Sequence, residues 1–124
     1  MTVTLDIVPA CIGETCRDIP HNWMNERAHW ALKSKWNRQW YEHVYWAVLE
    51  HRRKIGKMPL ICPTITVNFY GGRYDQDGAY SAAKVILDGL VRAGVIEDDA
   101  PKYIRKYEVL QPKGKRRTEI VIEI

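Results

Sequence analysis

The stretch that decides the fold runs from Thr64 to Gly94, TITVNFYGGRYDQDGAYSAAKVILDGLVRAG. It opens on Thr64, Ile65, Thr66, Val67, Asn68 and Phe69, whose polar–apolar alternation has the period of a strand with one buried face. Gly71-Gly72 ends that strand. From Ala82 to Ala93 the period changes, and Ala83, Ile86, Leu87 and Leu90 fall on one helical face, with Gly94 as a natural C-terminal stop. A strand feeding an amphipathic helix is the frame into which the rest of the chain fits.

Upstream, Glu26 to Ile55 contains no Pro or Gly, and Trp36, Trp40, Val44 and Val48 recur every fourth residue before Gly56 and Pro59. That pattern predicts one long amphipathic helix. Thr2 to Ile7 alternates like the strand above, Pro9 and Gly13 end it, and residues 9–25 read as a loop. Downstream, Lys102–Gln111 and Thr118–Ile124 read as two strands folded into a hairpin about Pro112-Lys113-Gly114-Lys115. The order is β-α-β-α-β-β, with no repeat or linker. It predicts a single α+β domain over residues 1–124, a mixed four-stranded sheet with two main helices on one side.

Composition narrows the class. The 124 residues are 46% hydrophobic and 27% charged, which sets disordered and membrane-spanning classes aside. MTVTLDIVPA lacks a basic region ahead of an apolar block, so no secretory signal is expected. Cys11, Cys16 and Cys62 are odd in number and lack paired metal spacing, which reads as reduced thiols in a cytoplasmic protein. The net charge of +4 is segregated. Residues 75–99 hold six acids (Asp75, Asp77, Asp88, Glu97, Asp98, Asp99) against Lys84 and Arg92, leaving 17 bases and nine acids elsewhere. A basic body suits a polyanionic partner, because Lys and Arg on phosphates release counterions. An acidic knot inside it would repel that partner unless a cation sat there; the plain alternative is a set of solvated helix-end charges.

In extended chain, residues two apart point the same way, so Asp75 and Asp77 can converge on one point. Hard divalent cations take oxygen ligands and leave room for water and phosphate. With a helix starting near Asp77, the residues Asp77, Ser81, Lys84 and Asp88 share one stripe, and Asp98-Asp99 follow the helix stop. An EF-hand loop fails here, since Arg73 and Lys84 would occupy its first and twelfth positions. Gly71-Gly72 is not followed by the Gly-Lys-Ser/Thr of a phosphate loop, and nothing suggests a sugar-nucleotide transferase beyond the Asp-x-Asp itself. His21, His29, His43 and His51 have no metal-ligand spacing.

Taken together, Asp75-Gln-Asp77, Lys84, Leu87-Asp88-Gly89-Leu90, Ala93-Gly94-Val95 and Asp98-Asp99 resemble the RusA-type Holliday junction resolvases, endodeoxyribonucleases of phages and prophages. Asn25-Glu-Arg27-Ala-His29-Trp30 also resembles a segment that phage members carry before their first helix, so the resemblance spans most of residues 22–104. It implies that Asp75, Asp77 and Asp99 bind Mg²⁺ (Mn²⁺ substituting), that Asp98 is their neighbour, and that Lys84 is the essential lysine. Two positions depart from the pattern: Gly78 stands where the family has Asn, and Lys84 lies seven residues past Asp77, where the best-known form has four.

The implied activity is hydrolysis of phosphodiesters in a four-way junction or other branched DNA. Metal activates water and stabilises the phosphorane, while Lys84 places charge on the scissile phosphate or helps deprotonate the water. Arg27, Arg73, Lys102, Arg105, Lys113, Lys115, Arg116 and Arg117 are the expected DNA contacts, with Lys33, Lys35, Arg38 and the Arg52-Arg53-Lys54 run adding positive charge on the first helix. Paired cuts in a two-fold symmetric junction imply a homodimer. Of the five tryptophans, most are expected in the core, with Trp23 and Trp30 the candidates for a partner or a displaced base. Two alternatives stand beside this reading: a weak or inactive protein that only binds branched DNA, and a small protein–protein adaptor whose acids cap helices.

Overall fold

The computed structural model describes residues 2–7, 30–72, 75–115 and 117–124, with residues 30–36 described by their backbone. Arg27, Arg73, Arg116, Trp23, Cys11, Cys16 and residues 25–29 of the upstream similarity lie outside the described residues, as do the side chains of Trp30, Lys33, Lys35 and Trp36.

The elements are β1 (Thr2–Ile7), α1 (Trp30–Glu50), α2 (Arg52–Ile55), β2 (Thr64–Tyr70), α3 (Gln76–Arg92), β3 (Lys106–Leu110) and β4 (Arg117–Glu123). They form the expected α+β domain with one mixed four-stranded sheet, but the strand order is β1-β4-β2-β3. β4 runs antiparallel to both β1 and β2, while β2 and β3 are parallel and joined through α3. The expected β3–β4 hairpin is therefore corrected: β2 lies between the two strands. Six residues separate Leu110 from Arg117. That is more than a tight turn needs, and enough to cross the roughly 10 Å over an intervening strand. The crossing is fixed where the Gly71 N–H donates to Pro112 C=O at 2.9 Å.

Register puts alternate residues on one apolar face: Val3, Leu5 and Ile7 stand opposite Ile122, Ile120 and Thr118, which in turn face Ile65, Val67 and Phe69. The apolar ones pack in one cluster with Trp40, Val44 and Val48 of α1 and with Ala82, Ala83, Ile86 and Leu90 of α3, and Thr118 is buried at the end of the row. Ile65, Ile86, Leu90, Ile120 and Ile122 are among the largest fully buried side chains, each contributing roughly 1.5–3 kcal/mol by leaving water. The two long helices approach closely at Gly89, where an added Cβ would lie 3.1–3.3 Å from the Val44 side chain.

The single long first helix divides: α1 stops at Glu50, His51 turns (φ −110°, ψ 10°), and α2 follows with Ile55 buried. Trp40 is in the core as expected, whereas Trp46 is 60% exposed. β3 begins at Lys106, later than the alternation suggested, and α3 begins at Gln76, a turn and a half before its apolar pattern shows. Among the described residues no helix is long and apolar enough to cross a membrane.

Candidate functional site

Helix α3 starts where it does because Asp75 caps it. Asp75 is extended (φ −72°, ψ 173°), and its Oδ1 accepts from the Gly78 amide at 2.6 Å, satisfying one of the free donors of the first turn. Asp77 lies inside that turn, exposed, where the positive helix end favours a carboxylate. Since α3 is continuous to Arg92, Asp77, Ser81, Lys84 and Asp88 do run down one line of it.

A Schellman turn makes the far end. With Gly94 at φ 84°, its own N–H reaches Val91 C=O and the Val95 N–H reaches Leu90 C=O, both at 3.0 Å. Leu90 and Val95, both fully buried, supply the accompanying apolar contact. The reversal sends Ile96 into the core and carries the next residues back against the helix. There Lys84 Nζ donates to Asp99 Oδ2 at 2.6 Å and to Asp88 Oδ1 at 3.0 Å, and Asp98 Oδ1 accepts from the Asp99 amide at 2.8 Å. These groups line a hollow of about 270 Å³ that also takes in Tyr41 and Arg92. The Arg92 guanidinium lies 4.2 Å over the Tyr41 ring.

Charge in this cluster is nearly closed on itself. The hydrogen bond to Asp99, then that to Asp88, raises the Lys84 ammonium above the ordinary lysine value. The hydrogen bond from Lys84 in turn holds Asp99 below the ordinary carboxylate value, against the opposing effect of desolvation. Lys84 is thus a fixed cation. Tyr107 of β3 packs edge-on against Tyr80 of α3 (5.6 Å between centroids, 82°), and its buried hydroxyl has no hydrogen-bond partner. Burial, followed by the neighbouring Tyr80 and then by Asp88 and Asp99, pushes this phenol far above its ordinary value, so it remains neutral.

The structure therefore gathers Lys84, Asp98 and Asp99, and adds Asp88, whose place on the stripe was legible but whose bond to Lys84 was not assigned. Asp75 and Asp77 sit at the other end of the line. Asp77 precedes Lys84 by seven residues, about 10 Å of helix rise. Among the described residues no group of three or more His, Cys, Asp or Glu side chains forms a metal-holding set.

The basic residues divide as well. Lys113 and Lys115 are exposed on the loop that crosses the C-terminal end of β2, the end from which the chain enters α3 at Asp75. Lys102 and Arg105 are exposed ahead of β3, at the opposite end of the sheet. Arg117 is engaged within the chain: its Nη1 lies 2.9 Å from Asp6 and 3.2 Å from Glu119, and its guanidinium stacks 4.0 Å over Tyr70. Asn68 Nδ2 and the Tyr70 hydroxyl both donate to Glu119 Oε1, at 3.0 and 3.2 Å, which completes a polar network on the sheet face away from the helices. Tyr107 and this network escaped the sequence reading, because alternation shows which face a residue takes but not what stands across from it.

No protein-family model matches the chain, and comparison with curated proteins gives no match either.

Proposed function

We propose that the protein is a Mg²⁺-dependent, structure-specific endodeoxyribonuclease that resolves four-way junctions or other branched DNA, acting as a homodimer. The observation that carries this reading is the setting of Lys84, an ammonium fixed between Asp88 and Asp99 beside Asp98, on the helical line that begins at Asp77. The donor chemistry fits the metal: Mg²⁺ takes oxygen ligands, usually one or two carboxylates, and fills its remaining positions with water and substrate phosphate. Asp75 and Asp77, the pair at the helix start, would hold it, and Mn²⁺ would substitute; Asp98 and Asp99 lie beside Lys84, about two turns along the helix, and do not join them. Bound there, the ion supplies an activated water and neutralises charge developing on the phosphate.

The chain's own residues would do the remaining work. Because its partners keep Lys84 protonated, it suits a point charge on the scissile phosphate and not a proton acceptor. The Gly78 backbone amide fixes the Asp75 carboxylate. Lys113 and Lys115 would hold backbone phosphates at the Asp75 end. The two-fold symmetry of a four-way junction calls for two such centres.

A second reading has its own observation. Asp75 Oδ1 and Asp99 Oδ2 are already engaged, by the Gly78 amide and by Lys84, which favours a protein that binds branched DNA and cuts it poorly or not at all. A labelled synthetic junction separates the two. The nuclease reading expects paired nicks near the branch point in Mg²⁺ and none in EDTA. Retardation without nicks would leave the binding protein, and no retardation at low salt would remove both.

A further inference from the structure

The C-terminal end of α1 carries features that neither the core nor the acidic cluster uses. The inward line of this helix is Trp40, Val44, Ala47 and Val48; Trp46 stands off it with 60% of its surface in water. A lone exposed apolar side chain is ordinary, but an indole beside three consecutive cations is a more particular combination. Trp46 shares an open hollow of about 770 Å³ with Leu49, Glu50, Arg52, Arg53 and Lys54. The arrangement is held from below. Ile55 is buried, His51 Nδ1 lies 2.9 Å from Ala47 O at the helix break, and Arg52, Arg53 and Lys54 are all exposed. Tyr45 meets the indole edge-on, with centroids 5.8 Å apart and planes at 75°.

We propose that this surface binds unpaired nucleotides, Trp46 stacking on a base while Arg52, Arg53 and Lys54 hold the flanking phosphates. Stacking is open to any base, because each has a π-face, but only to one that is not already stacked within a duplex. The partner must be anionic, since three cations face the single carboxylate of Glu50 in the hollow. The same charge argues against a second copy of this chain, because an isologous contact would set two basic triplets against each other. The surface is separate from the Lys84 hollow: Trp46 lies five residues beyond Tyr41, about 8 Å along α1 and on another side of it. The inference does not depend on cleavage.

The test is fluorescence anisotropy in EDTA, at low salt, with a labelled oligothymidine strand and with a blunt duplex of equal length. Trp46→Ala should weaken single-strand binding about 5- to 100-fold and leave duplex binding within about twofold. Arg52→Glu combined with Arg53→Glu should weaken both and flatten the salt dependence, whereas Glu50→Gln should tighten single-strand binding. Unchanged thermal unfolding keeps these results clear of misfolding, and Trp46→Phe, which retains a ring, should keep part of the affinity. Equal single-strand affinity in wild type and Trp46→Ala would overturn the proposal. So would a Trp46→Ala protein that loses self-association in sedimentation while keeping its DNA affinity, for the face would then be a contact between copies. Failure of junction cleavage with these results intact would count against the nuclease and not against this surface.

Discussion

Helix α3 holds its carboxylates in opposite ways at its start and along its middle. At its start, Asp75 gives one oxygen to the Gly78 amide while Asp77 stands exposed with no cation beside it among the described residues. Midway along, Asp88 and Asp99 share a lysine, and Asp98 is drawn in through the Asp99 amide. The first arrangement leaves negative charge in water at the positive end of a helix; the second has an ammonium where an added cation would go. The difference teaches that acidity counted along a sequence is not yet a metal site. What matters is which carboxylates have already been neutralised, and by that measure the helix start is the more available end.

The sharpest way to break that contrast is to compare Asp77→Asn with Asp88→Asn. If the helix start supplies the metal-binding charge, Asp77→Asn should lower Mg²⁺-dependent junction cleavage by about 100-fold or more, on the order of 3 kcal/mol of barrier, with DNA binding kept or tightened. Asp88→Asn should cost less, because it removes only one of two partners of Lys84. Rates taken under single-turnover conditions decide it, and equal losses would erase the distinction between the two positions. Lys84→Ala tests the other side. With the ammonium gone, Asp88, Asp98 and Asp99 lose their internal cation, and titration calorimetry should show divalent-ion affinity rising by about 3- to 10-fold even though cleavage falls. An unchanged affinity would mean that the three carboxylates do not face one point.

These contrasts were only partly legible in the sequence. The strand–helix unit of Thr64–Gly94 could be read because each signal is local: alternation, a helical period, a glycine just past the end. Gly94 marked the helix stop, but not that the turn there returns Asp99 to Lys84. The early start of α3 was harder, because Gln76 to Ser81 presents little apolar pattern and the signal lies in the Asp75 cap. The insertion of β4 between β1 and β2 could not be read at all. Alternation in Thr118–Ile124 identifies a strand with one buried face, and several partners would satisfy it equally. Arg117 was lost for the same reason: a base in a basic segment looks free until its strand neighbours, Asp6 and Glu119, are known.

Smaller effects separate structure from charge at each position. Asp75→Ala removes the cap of α3 and should cost about 1 kcal/mol, a loss of a few degrees in Tm, whereas Asp75→Asn keeps an acceptor for the Gly78 amide and should restore most of it. If both variants nevertheless lose junction cleavage equally, the carboxylate acts through its charge and not through the cap. If Asp75→Asn cleaves normally, Asp75 is only a cap.

The smallest expected effect belongs to the Lys84–Asp99 pair, because half of the Lys84 side-chain surface is in water. Asp99 is held below its ordinary value of 3.8, so its contribution is complete above that value and is lost as pH falls through the lower value of the folded state. Lys84 is raised above 10.5, so its contribution is complete below that value and is lost as pH rises through the higher folded one. Between these limits the pair contributes a constant amount, under about 1 kcal/mol for an exposed ion pair. Asp99→Asn should therefore lower the unfolding midpoint slightly at neutral pH, with the gap from wild type closing below the ordinary carboxylate value. A gap that persisted in acid would show that Asp99 stabilises the chain through packing or its backbone, and the closed charge cluster would lose its main support.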